Sequence, residues 1–381
     1  MRSGKMFNPC YSNFYKVLAV ILVALLLLEY SFNFLAYHQK NIRCLNASIS
    51  CIFEPLLSLD SDIFNTSLGN RTRGGAGSAG SVTDMSNTRA AAVSSNKSLE
   101  LCPLMPPNLV GRRKVLQEAP SLEEIERNFT HIMLGGRFKP KECLARHRVA
   151  ILIPYRNREE HLRVFRYNMH QFLPRQQIDY GIFVIEQDGN EKFNRAKLFN
   201  VGYLETRGLY DCFILHDVDL IPEDDRNLYT CPEQPRHMSV AMSTWNYKLP
   251  YTAYFGGVSA LNKKHMELVN GFSNQYWGWG SEDDDMFCRL KYSNLNITRY
   301  PAEIARYTML GHVPETPNPE RLKLLSSAKS RYKSDGLNNV DYERKKLVLK
   351  KLYTWILVDL KAPKWQPGFY EPPSDLNISA C

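Results

Sequence analysis

Four consecutive acids, at residues 282–285, follow two tryptophans, Trp277 and Trp279, that alternate with glycines. Indole rings are common platforms for the apolar faces of sugars, and neighbouring carboxylates hold hydroxyl groups and accept protons. A structural alternative is a capping box, because Ser281 is followed three residues later by Asp284, and acids in a first helical turn oppose its dipole. Capping explains neither the tryptophans nor the mutual repulsion of four acids. The stretch therefore favours a carbohydrate site with a carboxylate base.

Two further carboxylates, Asp217 and Asp219, follow the apolar run CFILH. In an extended segment alternate residues point the same way, so both can converge at the end of a strand. Hard oxygen ligands there suit Mg²⁺ or Mn²⁺ bridging a diphosphate, although aspartates also cap strand ends in loops. If Asp219 binds a metal ion, the side chains that could complete the coordination shell are those of Met309 and His312. Taken alone, a single His is more often structural and a Met more often part of the core.

Arginines occupy two positions that suit phosphate groups. Arg156 and Arg158 follow an apolar run, and Arg195 follows Phe193 at the start of a helical stretch. Guanidinium groups bind phosphate oxygens in a forked geometry, and Phe193 could stack on a base. The alternatives are a solvated basic loop for the first pair and a core position for Phe193.

These residues need a scaffold, and the sequence predicts one. Buried strands are predicted over 148–158, 180–189 and 211–222, where the first and third ranges include the loop that leaves the strand, and helices are predicted over 159–173 and 194–207. This alternation implies a parallel, Rossmann-like α/β sheet, whose ligands bind at the carboxyl ends of the strands. The polar clusters after the first and third strands belong to that edge. No Walker A or H-E-x-x-H pattern occurs, which argues against P-loop NTPases and zincins.

The chain has 381 residues and a formal net charge of +9, which admits nucleic acid, acidic membranes or anionic substrates such as nucleotides. An apolar stretch over 17–37 is about long enough to cross a bilayer, and basic residues precede it. We predict an uncleaved transmembrane anchor there with a cytosolic tail over 1–16; a cleaved signal peptide is the alternative. Everything downstream is then lumenal or extracellular, which argues against a nucleic-acid partner.

Residues 38–101 are predicted to form a disordered, glycosylated stem, because GGAGSAGS and its polar surroundings bury little apolar surface. Seven N-glycosylation sequons are present: Asn46, Asn65, Asn70, Asn96, Asn128, Asn296 and Asn377. Eight of the nine cysteines lie beyond the apolar segment, which fits an oxidising compartment. The folded part is predicted over 102–381, enough for one large domain or two fused lobes.

Six motifs follow one another along the folded part: PYRNR, FNRAKLFNVGY, HDVDLIPEDDRNLY, YFGGVSAL, WGWGSEDDD and SDGLNN. In this order they closely resemble the β-1,4-galactosyltransferases, roughly over residues 102–359. The resemblance implies a single-pass type II Golgi membrane protein with a lumenal GT-A catalytic domain. It also implies inverting transfer of galactose from UDP-galactose to the 4-hydroxyl of terminal β-linked N-acetylglucosamine or glucose on glycoprotein or glycolipid glycans, with Mn²⁺ as cofactor.

The resemblance implies a role for each matching residue. Asp219, Met309 and His312 would hold the Mn²⁺, and Asp283 would be the base that deprotonates the acceptor hydroxyl. Donor binding would involve Pro154, Arg156, Arg158, Phe193, Arg195, Asp217, Val218, Tyr254, Gly257, Trp279 and Glu282. Acceptor binding would involve Trp279, Asp283, Asp284, Arg321, Leu322 and Leu325.

Tyr254 would crowd the 2-position of the donor sugar. Members of the family with a small aliphatic residue there accept UDP-N-acetylgalactosamine, so Tyr254 favours galactose and leaves N-acetylgalactosamine transfer as the second candidate. Ser281 departs from the family pattern, because many members have Gly at this position. A different class of enzyme, a metal-dependent nucleotide-sugar hydrolase, could use the same acids, and a catalytically inactive lectin would bind sugars without transfer.

The family pattern also pairs Cys102 with Cys143 and Cys212 with Cys231. These disulfides would close loops of about 40 and about 20 residues, each contributing about 3–4 kcal/mol on the chain-entropy model. The pattern assigns no partner to Cys288 or Cys381.

Overall fold

The computed structural model describes residues 99–313 and 315–363. The predicted tail, the predicted anchor and nearly all of the stem lie outside these residues. Five predicted sequons lie outside them as well: Asn46, Asn65, Asn70, Asn96 and Asn377. Asn128 and Asn296 are exposed. Within the described ranges, no helix is both long and apolar enough to span a bilayer. Near the start of the described residues, Leu101 forms a β-bridge with Leu144.

The strands and helices of the described residues are numbered in chain order. The strands are β1 (Arg137–Phe138), β2 (Arg148–Tyr155), β3 (Asp179–Gln187), β4 (Cys212–His216), β5 (Leu220–Pro222), β6 (Arg236–His237), β7 (Ala241–Met242), β8 (Val258–Asn262), β9 (Thr298–Arg299), β10 (Arg306–Met309), β11 (Glu343–Leu349) and β12 (Thr354–Asp359). The helices are α1 (Leu122–Asn128), α2 (Glu159–Phe172), α3 (Arg195–Thr206), α4 (Lys263–Leu268), α5 (Glu282–Tyr292), α6 (Arg321–Ser326) and α7 (Ala328–Arg331).

The larger sheet of the described chain has the order β11–β12–β3–β2–β4–β8–β6–β9, with β1 also paired to β3. Its centre is parallel, because β12, β3, β2 and β4 pair in the same direction. Strand β8 then pairs antiparallel with both β4 and β6, and β11 pairs antiparallel with β12. A small second sheet has the order β5–β10–β7. The parallel centre is the Rossmann-like core that the sequence predicts.

The side chains of strand β2 show that helices cover both faces of the larger sheet. Its residues 149, 151 and 153 pack with Leu162, Phe165 and Met169 of α2, on one face of the sheet. Its residues 150 and 152 pack with Leu198 and Val201 of α3, on the other face. Because successive side chains of a strand point to opposite faces, a strand covered by helices on both sides must be apolar throughout. All residues of β2 except the first are buried accordingly.

The third predicted strand differs from the prediction. The segment 211–222 forms two strands, β4 and β5, which are separated by a turn in which the Leu220 amide donates to the Asp217 carbonyl over 3.3 Å. Strand β5 leaves the larger sheet and pairs with β10. Asp217 and Asp219 therefore lie in a turn, and the expectation that they share one side of an extended segment is wrong.

Both predicted disulfides are confirmed. Cys102 pairs with Cys143, with Cα atoms 4.9 Å apart, and Cys212 pairs with Cys231, with Cα atoms 5.2 Å apart. Cys288, to which the sequence assigned no partner, is buried in α5 and is also disulfide-bonded.

Candidate active site

A cleft of about 630 Å³ opens at the carboxyl ends of β2 and β4. Nearly all predicted site residues line it: Pro154, Arg156, Arg158, Phe193, Arg195, Asp217, Val218, Asp219, Tyr254, Gly257, Trp279, Glu282, Asp283, Asp284, Met309, His312 and Arg321. Leu322 and Leu325 do not belong to this lining, and Leu325 is the buried residue of α6. The fold thus brings together residues that are up to about 170 positions apart in the sequence, as expected for the carboxyl edge of a parallel sheet.

The candidate metal ligands meet where β4 ends and β10 ends. Pairing of β5 with β10 places Met309 opposite Leu220, next to Asp219, and the Leu310 amide donates to the Asp219 carbonyl over 2.8 Å. Oδ2 of Asp219 lies 3.0 Å from Nδ1 of His312. The hydrogen bond to Asp219 raises the pKa of His312, and burial opposes this shift.

This donor set fits a divalent transition metal. A carboxylate oxygen and an imidazole nitrogen already converge on one point of the cleft, and both are ligands that Mn²⁺ accepts. The thioether of Met309 is softer and adds less to the affinity for such an ion.

Arg195, at the first position of α3, links two acids from different elements. Its Nε donates to Oδ1 of Asp217 over 2.6 Å, and its Nη1 donates to Oε1 of Glu282 over 3.3 Å. Its Nη2 donates to the Gly257 carbonyl over 3.3 Å. Burial raises the pKa of Asp217 to about 6 and outweighs the opposing effect of Arg195. Burial also raises the pKa of Glu282 to about 6, with the charge of Asp283 as the next cause. Arg195 therefore fixes both carboxylates on the floor of the cleft.

Two more arginines stand at the exit of β2. The Arg156 guanidinium lies 5.3 Å from the centre of the Phe193 ring, and its Nη1 donates to the Glu191 carbonyl over 2.5 Å. Arg158 Nη2 donates to the Val313 carbonyl over 3.4 Å. Both side chains are half-buried and line the cleft. Arg156 thus lies beside an aromatic ring, and Arg158 lies beside the segment that carries His312.

The four acids at residues 282–285 form the first turn of α5, but no capping box with Ser281 begins this helix. Ser281 is the N-cap residue with φ 66°, in the left-handed region, and its side chain makes no capping hydrogen bond. The predicted pairing of Ser281 with Asp284 is therefore wrong. Instead, the Asp284 amide donates to Oδ1 of Asp283 over 3.0 Å, and the Tyr251 hydroxyl donates to Oδ1 of Asp284 over 2.9 Å.

Asp283 has the character of a base that works near neutral pH. Its carboxylate is half-buried in the cleft, and a Cβ built on Gly256 would collide with its Oδ2. Burial raises the pKa of Asp283 to about 6, and the charge of Asp284 adds to the shift. A carboxylate with a pKa close to the working pH combines charge with the strongest drive to accept a proton.

The two tryptophans differ in exposure. Trp279 is 58% exposed at the rim of the cleft, whereas Trp277 is half-buried and packs against the core beside α3. The backbone of Trp279 pairs with the segment around Pro317: its amide donates to the Thr316 carbonyl over 3.1 Å, and its carbonyl accepts from the Asn318 amide over 2.8 Å. The flanking Gly278 and Gly280 have φ 92° and 111°, values that favour glycine.

Sequence reasoning missed an aromatic wall of the cleft. Trp245 and Tyr251 line the cleft, are 38% and 46% exposed, and form T-shaped pairs with the Tyr254 ring at centroid distances of 5.0 and 5.5 Å. The signal was present in the density of aromatic residues between 245 and 255, directly before the YFGG motif.

Comparison with known proteins places the chain among glycosyltransferases. The family model described as the N-terminal region of glycosyl transferase group 7 matches residues 102–232, and the one described as the N-terminal domain of galactosyltransferase matches residues 236–313. The chain is 45% identical over 269 residues to beta-1,4-galactosyltransferase 2 of Mus musculus, covering 69% of this chain and 73% of that protein. It is 44% identical over 297 residues to beta-1,4-galactosyltransferase 1 of Mus musculus, covering 76% of this chain and 74% of that protein.

Solved structures agree as well. The catalytic domain of Drosophila beta1,4galactosyltransferase 7 in complex with xylobiose superimposes with a TM-score of 0.51 at 32% identity, covering 57% of this chain and 95% of that chain. A mutant of that enzyme, solved with manganese, UDP-Gal and xylobiose, matches equally well, with a TM-score of 0.51. The fold and the cleft thus define a mixed α/β glycosyltransferase. Within that class, the chain belongs to the β-1,4-galactosyltransferase family, whose members are transferases.

Proposed function

We propose that this protein transfers galactose from UDP-galactose to the 4-hydroxyl of a terminal β-linked N-acetylglucosamine or glucose, with inversion, through a GT-A domain. The observation that carries the proposal is Asp283. It is a carboxylate with a pKa raised to about 6, and it faces the cleft that also holds the Asp219–His312 pair and Trp279. A base, a cation site and a sugar platform in one cleft are the parts that a single displacement on a nucleotide sugar requires.

On the donor side, the protein supplies positive charge around the diphosphate. Asp219, Met309 and His312 would hold Mn²⁺, which when bound neutralises the charge that develops on the departing UDP. Arg156 and Arg158 line the same side and offer forked donors to phosphate oxygens.

Other residues bind the donor through its base and its sugar. Phe193 offers a face for the uracil, beside Pro154 and Val218. Arg195 keeps Glu282 and Asp217 in place, so that they can accept hydrogen bonds from the sugar and the nucleotide.

On the acceptor side, Trp279 offers an indole face to the sugar ring, and Asp284 accepts hydrogen bonds from its hydroxyl groups. Asp283 removes the proton from the attacking 4-hydroxyl as the new glycosidic bond forms. Arg321 lines the acceptor end of the cleft. Leu322 and Leu325 follow it in α6, and we propose that they act there only after this segment has moved toward the acceptor.

Galactose is the favoured donor sugar because of Tyr254. Its side chain is 8% exposed and packs against Trp245, Tyr251 and Gly256. A bulky ring held from several sides leaves little room beside the 2-position of the donor, which disfavours an N-acetyl group. N-acetylgalactosamine transfer is the second candidate, and a comparison of UDP-galactose with UDP-N-acetylgalactosamine under identical conditions separates the two.

The decisive experiment incubates the protein with UDP-galactose and Mn²⁺, with and without N-acetylglucosamine. A transferase releases UDP in step with the disaccharide and only slowly without acceptor, whereas a nucleotide-sugar hydrolase releases UDP equally in both cases. A lectin shows neither product.

Asp283→Asn should lower turnover by at least about 100-fold while the affinity for UDP with Mn²⁺ stays near that of the wild type. Asp211→Asn, which removes an exposed acid outside the cleft, is the matched control and should keep full turnover. An Asp283→Asn variant that remains active would contradict the assignment of the base.

We also propose that the enzyme is a single-pass type II protein of the Golgi membrane, anchored by residues 17–37. The proposal is supported by the apolar run VLAVILVALLLL behind basic residues, by the sequons, and by the disulfides of the described domain. Protease protection of intact Golgi vesicles tests it. The catalytic domain should resist digestion until detergent is added, and digestion before that point would exclude a lumenal domain.

A further inference from the structure

A buried histidine, His237 on β6, lies behind the glycine turn that faces the cleft. Its Nε2 is 3.1 Å from the carbonyl oxygen of Gly256, and its Nδ1 is 3.2 Å from Nε of Arg299. A guanidinium group can only donate, so Nδ1 accepts and Nε2 carries the proton that is donated to Gly256. The ring is thus held in one neutral tautomer. Burial, followed by the charge of Arg299, lowers the pKa of His237 to about 3.

Arg299 holds the same segment at two further points. Its Nη2 donates to the carbonyl oxygens of Thr252, over 2.8 Å, and Tyr254, over 3.0 Å. Strand β9, which carries Arg299, runs parallel to β6, and His237 and Arg299 are direct partners in that pairing. His237 and Arg299, on neighbouring strands, therefore hold three backbone carbonyls within residues 252–256, and the Gly256 carbonyl also accepts from the Ser239 hydroxyl over 3.0 Å.

The segment 252–256 presents two functional groups to the cleft. The Tyr254 ring stands edge-on to the His237 ring at a centroid distance of 5.3 Å. A Cβ built on Gly256 would collide both with the Tyr254 ring and with Oδ2 of Asp283, so both groups rest against this one glycine. A small displacement of the segment would therefore move the ring that faces the donor sugar and the wall against which Asp283 packs.

We propose that His237 and Arg299 are positioning residues that set the selectivity for the donor sugar by fixing Tyr254 and Gly256. This inference rests on the proposed function, in which the donor sugar enters beside Tyr254. A purely structural role predicts that losing His237 lowers stability and slows both donors equally. A positioning role predicts that the preference between donors changes.

The test measures kcat/KM for UDP-galactose and for UDP-N-acetylgalactosamine, with N-acetylglucosamine as acceptor, and takes their ratio. His237→Leu removes both ring nitrogens, and the ratio should fall about tenfold as the segment relaxes and admits the larger sugar. His237→Gln offers an amide that can donate to Gly256 and accept from Arg299, so its ratio should stay within about twofold of the wild type.

A second buried histidine provides the matched control. His170 is as buried as His237, and its ring nitrogens contact the Tyr180 hydroxyl at 3.0 Å and the Leu352 carbonyl at 2.8 Å, away from the cleft. His170→Leu should destabilise the protein in a thermal unfolding measurement and leave the donor ratio unchanged.

Should His237→Leu not fold, Arg299→Lys decides the question, because a lysine ammonium cannot reproduce the planar fork that reaches the ring and two carbonyls. Its donor ratio should also fall. A folded His237→Leu or Arg299→Lys variant with the wild-type ratio overturns the proposal. If the wild type itself transfers no galactose, the proposed function fails first, and this outcome is visible before any variant is made.

Discussion

Replacing the carboxylate by an amide should have different effects on thermal stability at two acids of α5, Asp283 and Asp285. Asp285 is fully buried, and its carboxylate accepts hydrogen bonds from Arg289 Nε at 2.5 Å, the Tyr276 hydroxyl at 3.0 Å and Arg331 Nη2 at 3.1 Å. Asp283 is half-buried in the cleft, and burial is the largest cause of its raised pKa. Asp285 is therefore a structural acid, whereas Asp283 is held in a state that favours proton uptake.

The effect of Asp285→Asn follows from what the substitution leaves behind. An asparagine presents one carbonyl oxygen and two N–H donors to a site lined by donors, so buried guanidinium groups lose an acceptor. Breaking a buried ion pair by removing one partner destabilises a protein by about 3–5 kcal/mol. Arg289 keeps its bonds to the carbonyls of Gly271 and Asp335, which favours the lower value. At about 2–4 °C per kcal/mol for a domain of this size, the unfolding midpoint should fall by about 6–12 °C.

Asp283→Asn should leave the midpoint unchanged or raise it slightly. The pKa of Asp283 is raised from 3.8 to about 6, so at neutral pH the folded state holds a charge that it disfavours. A shift of this size corresponds to at most about 3 kcal/mol, and partial exposure to solvent reduces it to about 1 kcal/mol. Turnover should nevertheless fall at least about 100-fold, because the substitution removes the proposed base.

The assay is thermal unfolding at neutral pH followed by circular dichroism, with galactose transfer measured on the same preparations. Asp211→Asn serves as the control, since its exposed ion pair with Arg148 should contribute less than about 1 kcal/mol. Asp285→Asn should lose stability and, with it, the activity that depends on an ordered α5. An Asp285→Asn midpoint within about 2 °C of the wild type, well below the loss expected here, would refute the reasoning, as would a strongly destabilised Asp283→Asn.

Four further outcomes follow from the same structure. The kcat/KM for transfer should rise with pH through an apparent pKa of about 6 and then level off, because Asp283 must be charged to act; a flat profile would exclude it as the base. Between pH 3.8 and about 6 the folded state binds more protons than the unfolded state, so the contribution of Asp283 to stability should decrease as pH rises, which urea unfolding at several pH values measures. Ser281→Gly should be as stable as the wild type or up to about 1 kcal/mol more stable, because residue 281 has φ 66°, whereas Ser281→Val should lose about 1–3 kcal/mol in urea unfolding. Replacing Cys212 and Cys231 by alanine should lower the free energy of unfolding by about 3 kcal/mol, and an unchanged denaturant midpoint would show that β4 does not depend on this disulfide.

The parallel centre of the sheet could be predicted from the sequence because its strands are covered on both faces. The predicted strand over 148–158 and helix over 159–173 correspond to β2 and α2, and the second strand and helix correspond to β3 and α3. The second strand was predicted to end at Gly189 but ends at Gln187, because the polar residues that leave a strand carry no periodicity of their own. Strand β8 and the β11–β12 hairpin were not predicted, because β8 is only five residues long and β11 is largely exposed, so neither provides a long apolar run.

The turn at Asp217–Asp219 and the left-handed Ser281 show a different limit. A short segment whose residues are compatible with an extended strand or a capping box is also compatible with a turn. Only contacts with residues far away in the sequence determine which conformation it adopts. Strand β5 pairs with β10, about 85 residues further along the chain, and this pairing pulls Asp219 toward Met309. Such a pairing is determined by tertiary packing, which local propensity does not contain.

The four acids of α5 are consecutive in the sequence but have different neighbours in the fold. Because a helix turns by about 100° per residue, successive acids face different surroundings. Glu282 meets Arg195, and Asp285 meets Arg289 and Arg331 in the core. Asp283 is left facing the cleft beside Gly256, and its Oδ1 accepts from the Asp284 amide. Burial is the largest cause of its raised pKa, the charge of Asp284 adds to the shift, and the charge of Arg195 opposes it. Because Arg195 is already paired with Asp217 and Glu282, burial and Asp284 prevail at Asp283, which therefore has the raised pKa that the proposed base requires.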